Sequence, residues 1–191
     1  MAKNVKIALA GEGGQGVQSV AQIMVDAAND EGKEALYIPN FGVEQRGGVS
    51  IAFCQISDER IGAPKFVTGD IVIALSGRAV VRTQQYVGPK TVFLYDASIE
   101  GVDEFLPKNG AKVFAIPALK VAKEELHPRV FNVIILGATL QATGVLTLAQ
   151  AKKALEKKLG YKFEQDAKLR ELNYKALEIG AELVKDLVAG K

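Results

Sequence analysis

The chain has 191 residues, 48% of them hydrophobic and 24% charged, with a formal net charge of +2. That length and balance suit one well-cored globular domain spanning 1–191, and they exclude a disordered or collagen-like polymer. The near-neutral charge, with Lys and Arg scattered, leaves no electrostatic footprint for nucleic acid.

The first apolar run, around Val5, Ile7 and Leu9, reads as a strand that ends at the glycines of GEGGQGVQS, Gly11 to Ser19. From Val17 the apolar positions switch to helical spacing through Val20, Ala21, Met24, Ala27 and Ala28, and Gly32 ends that helix. A second strand is expected over Glu34 to Ile38, closed by Pro39. The loop NFGVEQRGG follows, then VSIAFCQIS as a strand and Ser57 to Arg60 as a polar turn. DIVIAL (Asp70 to Leu75), TVFLY (Thr91 to Tyr95) and Val113 to Ile116 are almost wholly apolar, as strands buried on both faces of a parallel sheet are. Ser76 to Tyr86 is expected to be helical.

The remainder reads as helix. Asn132 to Leu146 is apolar nearly all round and belongs in a deeply buried position or at an interface. Thr147 and Gln150 form a T-x-x-Q capping box ahead of AKKALEKKLG. A last helix, Asp166 to Val188, places Leu169, Leu172, Ala176, Gly180, Leu183 and Leu187 on one stripe. The pattern as a whole predicts an α/β fold: a single three-layer domain with a mainly parallel, Rossmann-like sheet and a helical C-terminal part. No run approaches the roughly 18 apolar residues of a membrane span, and no secretory leader is evident, so a cytoplasmic location is expected.

The residue census limits the chemistry. Cys54 is the only cysteine, so no disulfide can form within the chain and a cluster needing about four thiolates lacks its ligands here. His127 is the only histidine and precedes Pro128, where it reads as a loop residue. Cys54 lies in an apolar run and reads as a buried small hydrophobe.

Two glycine clusters carry the functional signal. Gly11, Gly13, Gly14, Gln15 and Gly16 lie in a G-x-G-x-x-G turn between a strand and a helix, where bare backbone N–H groups at a helix N-terminus suit an anion. The same turn could equally be architectural. A nicotinamide site would also need an acid at the end of the second strand, and ALYIPNFG has none there. The second cluster sets Glu44 and Arg46 directly before Gly47 and Gly48. The Arg46 guanidinium is a planar fork suited to phosphate or carboxylate, while a plain Glu44–Arg46 ion pair is the alternative.

The G-x-G-G-Q-G-V loop, the E-Q-R-G-G segment and the I-S-D-E turn together resemble the gamma subunit of 2-oxoacid:ferredoxin (acceptor) oxidoreductases. That family includes pyruvate, 2-oxoglutarate, branched-chain 2-oxoacid and indolepyruvate enzymes. The resemblance continues through Asp70 to Leu75, Asn132, Leu136 to Ala138, Asn173, Ala176 and Gly180. It implies one subunit of a complex that decarboxylates a 2-oxoacid on thiamine diphosphate and Mg, sends electrons through Fe–S clusters to ferredoxin, and forms an acyl-coenzyme A. Alpha and beta subunits, and a delta ferredoxin-like subunit, are the implied partners, with no nucleic acid and no membrane. The chain is expected to hold no thiamine diphosphate or cluster of its own: its single Gly-Asp, Gly69-Asp70, runs into Ile71. No catalytic residue and no metal ligand is assigned to it. Its glycine loops are expected to hold coenzyme A, to shape the active-site mouth, or to build the subunit contact, and the E-Q-R-G-G segment inclines the substrate toward 2-oxoglutarate. A free-standing nucleotide- or flavin-binding reductase is the competing reading.

Overall fold

The computed structural model describes residues 4–41, 48–109 and 112–188. Six strands form one sheet: β1 (Asn4–Glu12), β2 (Glu34–Asn40), β3 (Val49–Ser57), β4 (Gly69–Ala74), β5 (Val87–Asp96) and β6 (Lys112–Ile116). Their order across the sheet is β2-β3-β1-β4-β5-β6. The pairs β1–β4, β4–β5 and β5–β6 are parallel, as the continuous apolar runs predict. β3 is the exception, since it runs antiparallel to both β1 and β2 and lies between them. The glycine-loop helix therefore connects two strands that point the same way but do not touch.

The helices are α1 (Val17–Asp30), α2 (Gly77–Thr83), α3 (Ala118–Glu125), α4 (Phe131–Thr143), α5 (Leu148–Gln165) and α6 (Ala167–Val188). α1 and α3 to α6 contribute to the larger core, on the sheet face carrying Ile7, Leu9 and Ile73. The opposite face, with Ala8, Val72 and Phe93, is covered by the short α2 and by Ile99, Val102 and Leu106 of the segment after β5. Three layers result, one much thicker than the other.

Several local expectations shift. Pro39 does not close β2 but sits inside it, paired in register with Ala52. This is tolerated because β2 is an edge strand, where a missing N–H need not break a ladder on both sides. α4 stops at Thr143 and does not reach Leu146, because Gly144 turns the chain into the left-handed region at φ 64. The Thr147–Gln150 capping box forms in full: Gln150 N–H donates to Thr147 Oγ1 at 3.2 Å, and Thr147 N–H to Gln150 Oε1 at 2.7 Å.

The expected stripe on α6 holds at Ala176 and Gly180 and fails at its last leucine. Leu187 is 45% exposed, whereas Ala176, Leu177, Ala181 and Val184 are buried at 2% or less. Leu169, Leu172 and Leu183 pack at the margin. The reason is the crossing of α4 and α6, which is too close for large side chains at its centre. A Cβ placed on Gly180 would lie 1.9 Å from the Ile134 carbonyl oxygen, and one on Gly137 would lie 2.0 Å from that of Leu177. The two contacts are reciprocal, so each helix lays backbone against backbone.

This geometry makes the same substitution act with opposite sign at two helical glycines. Gly180→Ala forces the helices apart and should cost about 1–3 kcal/mol, the range for overpacking, lowering Tm by roughly 2–12 °C for a chain of this size. Gly160→Ala, where a Cβ meets nothing within 4 Å, should stabilise by about 0.5–1 kcal/mol through the better helix former. Thermal unfolding of both variants checks this, and a neutral Gly180→Ala would mean that the helices do not cross so closely.

Candidate functional site

The first glycine loop leaves β1 and enters α1 through Gly16, which occupies the N-cap in the left-handed region at φ 79. Gly14 is also left-handed, at φ 90. Gly16 further has no room for a side chain, because a Cβ would meet Asn132 Nδ2 of α4 at 2.1 Å. Asn132 thus sits beneath the turn, and its Oδ1 is buried with no partner among the described residues. Gly11 lies in β1, directly opposite Ser50 of β3.

Gln15 folds back onto the loop. Its Oε1 accepts the Glu12 N–H at 2.7 Å, and its Nε2 donates to the Leu75 carbonyl at 2.9 Å. Leu75 follows β4, and its own N–H donates to the Ala10 carbonyl at 2.9 Å. β1 and β4 flank the point where the connections diverge to opposite sides of the sheet, the crevice in which doubly wound folds bind dinucleotides. Here the Gln15 carboxamide bridges it. With β2 ending in Pro39-Asn40 and no acid, the geometry offers the reductase reading neither its crevice nor its ribose acceptor.

The open space lies on the other side of the loop, toward β3. A cavity of about 430 Å³ is bounded by Glu12, Gly13 and Gly14 of the loop, by Gly16 to Ser19 at the start of α1, and by Phe41 and Ser50. The first backbone bond inside α1 runs from Val20 N–H to the Gly16 carbonyl, and no side chain caps the helix. The first-turn N–H groups thus have no acceptor within the helix, and the residues that carry them line the cavity at the positive end of a 14-residue helix. Glu12 on the rim opposes this with a carboxylate. Phe41 is 67% exposed, an apolar side chain at the mouth.

A polar chain underlies the cavity. Gln18 Nε2 donates to Ser50 Oγ at 2.6 Å, and Gln18 Oε1 accepts from the Tyr37 hydroxyl at 2.6 Å. Burial, with a contribution from Cys54, pushes the Tyr37 phenol above its ordinary value against a hydrogen bond from Gln22, so it stays a neutral donor. Nothing in the glycine motifs marks Gln18, Tyr37 or Ser50. Only the antiparallel placement of β3 brings them together.

Of the residues expected at the site, Gly11, Gly13, Gly14, Gln15 and Gly16 form the turn just described, and Gly48 directly precedes β3. Glu44, Arg46 and Gly47 lie outside the described residues. The other reactive groups are structural. Cys54 is 1% exposed, and burial pushes its thiol up to about 12, which removes it as a nucleophile at neutral pH. His127 Nδ1 accepts the Arg129 N–H at 3.1 Å and caps the single turn Pro128–Val130. Among the described residues no group of His, Cys, Asp and Glu is placed to hold a metal ion, and no helix is long and apolar enough to cross a membrane.

Residues 6–183 match the family model described as pyruvate ferredoxin/flavodoxin oxidoreductase. The chain is 31% identical over 189 residues to the ketoisovalerate oxidoreductase subunit VorA of Methanothermobacter marburgensis, covering 99% of itself but only 38% of that protein. Its fold superposes with TM-score 0.81 and 29% identity on the gamma subunit of a keto/oxoacid ferredoxin oxidoreductase from Geobacter sulfurreducens, covering 96% of this chain and 97% of that one. It also superposes, with TM-score 0.86 and 27% identity, on 2-oxoglutarate:ferredoxin oxidoreductase from Magnetococcus marinus, solved with 2-oxoglutarate, coenzyme A and succinyl-CoA bound. There it covers 97% of this chain and 32% of the other. The chain belongs to the pyruvate ferredoxin/flavodoxin oxidoreductase family, as the counterpart of its gamma subunits.

Proposed function

We propose that this chain is the gamma subunit of a cytoplasmic complex that oxidatively decarboxylates a 2-oxoacid, passes the released electron pair to ferredoxin, and transfers the acyl group to coenzyme A. The observation that carries this reading is the match along nearly the whole chain to a gamma subunit, joined to a donor-lined cavity at its glycine loop. Thiamine diphosphate, Mg and the Fe–S clusters belong to the alpha, beta and delta ferredoxin-like subunits. The single cysteine of the chain, Cys54, cannot supply the roughly four thiolates that an Fe–S cluster takes.

The cavity beside Gly11, Gly13, Gly14, Gln15 and Gly16 receives an anionic part of coenzyme A, and Glu44, Arg46, Gly47 and Gly48 are proposed to take part in holding it. Two features support this role. The helix N-terminus offers only donors, which suits phosphate oxygens. The Magnetococcus relative was solved with coenzyme A bound. 2-Oxoglutarate is the substrate proposed first, ahead of pyruvate and the branched-chain acids.

Alone, the chain should be catalytically silent. Purified chain supplied with thiamine diphosphate, magnesium, a 2-oxoacid and coenzyme A should not reduce a viologen dye, and adding the catalytic subunits should start the reaction. Turnover without partners would overturn the subunit reading. Assaying the assembled complex on a panel of 2-oxoacids identifies the substrate, and a preference for another acid would displace 2-oxoglutarate.

Arg46→Lys separates ligand binding from assembly. Lysine keeps the charge but loses the planar fork, and losing one charge-assisted hydrogen bond costs about 1.5–3 kcal/mol, roughly a ten- to hundred-fold effect. The expected loss is in KM for coenzyme A with copurification intact. Weakened copurification with normal KM would instead assign Arg46 to the subunit contact.

A further inference from the structure

The geometry points to Ser50 as the side chain that donates a hydrogen bond to the anionic group in this cavity, held in its donating sense by a relay running through Gln18 from Tyr37. The inference rests on the reading that the cavity receives part of coenzyme A, and it adds the residue that orients that part.

The sense of the relay can be followed bond by bond. It starts at Tyr37 on β2, whose O–H donates to Gln18 Oε1 at 2.6 Å. This fixes the Gln18 amide with Nε2 toward β3, where it donates to Ser50 Oγ at 2.6 Å and lies 3.4 Å from the Ile51 carbonyl.

Ser50 is then an acceptor within the protein, and its own hydrogen is left over. Among the described residues no acceptor takes it, and Ser50 lines the cavity together with the first turn of α1. Successive hydrogen bonds polarise one another, so the row from Tyr37 through Gln18 strengthens the donor at its far end. The cavity thus presents an O–H from β3 and N–H groups from α1, donors from two elements meeting on one space. Their common partner is an acceptor with several lone pairs, a phosphate or a carboxylate.

The relay also explains why Gln18, at the second helical position, is partly buried and tied to two strands. A glutamine in the first turn of a helix is otherwise a solvent-facing residue with no fixed partner. Here it lines the cavity while its side chain sets the direction of Ser50, so α1 and β3 approach the ligand as one rigid unit.

The test uses the complex assembled from this chain and its catalytic subunits, carrying Ser50→Ala, Tyr37→Phe or Gly13→Glu in the gamma position. KM for coenzyme A, KM for the 2-oxoacid and kcat are measured on each. Gly13→Glu adds a carboxylate to the cavity at a position where a Cβ meets nothing within 4 Å, so it reports whether coenzyme A uses the cavity at all. Ser50→Ala should raise KM for coenzyme A about ten-fold, the usual effect of losing a hydrogen bond to a charged group, with kcat and KM for the 2-oxoacid unchanged. Tyr37→Phe frees the Gln18 amide to turn over and should raise the same KM roughly three-fold, a selectivity that a merely structural role would not produce. If Gly13→Glu raises that KM and Ser50→Ala does not, the donor assignment falls while the cavity keeps its ligand. If neither changes it, both fall. A ten-fold effect of Ser50→Ala with none from Tyr37→Phe overturns the relay, and a change confined to KM for the 2-oxoacid reassigns the anion to the substrate carboxylate and overturns the coenzyme A reading.

Discussion

The antiparallel pairing of β3 with β1 is the constraint on which the rest of the molecule depends. The register runs without interruption from Asn4 opposite Ser57 to Glu12 opposite Val49. It moves β2 one strand outward, so α1 must span β3 to connect the strands it joins. In a plain doubly wound sheet the ligand would lie where the connections diverge, between β1 and β4. Here the inserted strand brings a second wall up beside the helix N-terminus, and Ser50 falls opposite Gly11 because of that register alone.

The glycine loop answers to the same constraint from the other side. Gln15 ties the loop to Leu75, and Leu75 N–H in turn bonds Ala10, so the β1–β4 side is filled by the protein's own amides. A loop held on that side can present its donors only toward β3. Gly16 must be glycine twice over, for its left-handed φ and for the Asn132 carboxamide pressed against it. Asn132 stands in the first turn of α4, so the loop is also anchored on the helix that α6 grips. Rigidity at the loop therefore traces back to the backbone contacts of Gly137 with Leu177 and of Gly180 with Ile134.

Much of the fold was legible because it depended on local pattern. Apolar runs located every strand, and Ser57, the capping box at Thr147 and the glycine loop marked their boundaries to within a few residues. What escaped was non-local. Strand direction is not written in the composition of VSIAFCQIS, and a strand inserted antiparallel between β1 and β2 reads the same as one added at the edge. The α6 stripe placed Ala176 and Gly180 on the packed face but also Leu187, which is exposed: α4 and α6 approach by backbone, so the central positions are the small ones, Ala176, Gly180 and Ala181, and the leucines fall to the margin. At the site, the glycines could be read from the motif, whereas Gln18, Tyr37 and Ser50 carry no motif and meet only through three separate elements.

The electrostatics of the cavity favour geometry over charge as the source of selectivity. The helix end contributes about half a positive charge, and Glu12 on the rim sets a full negative charge against it. On the described residues alone the cavity is not a strong anion trap, and a chain of net charge +2 adds little long-range attraction. What it offers is direction: N–H groups fixed by α1 and an O–H fixed by β3, aimed at one volume. Directed donors around a weak net field hold an anion in one pose without holding it tightly. That balance suits the role proposed for the cavity, in which coenzyme A arrives, presents its reactive end to a neighbouring subunit, and leaves as product.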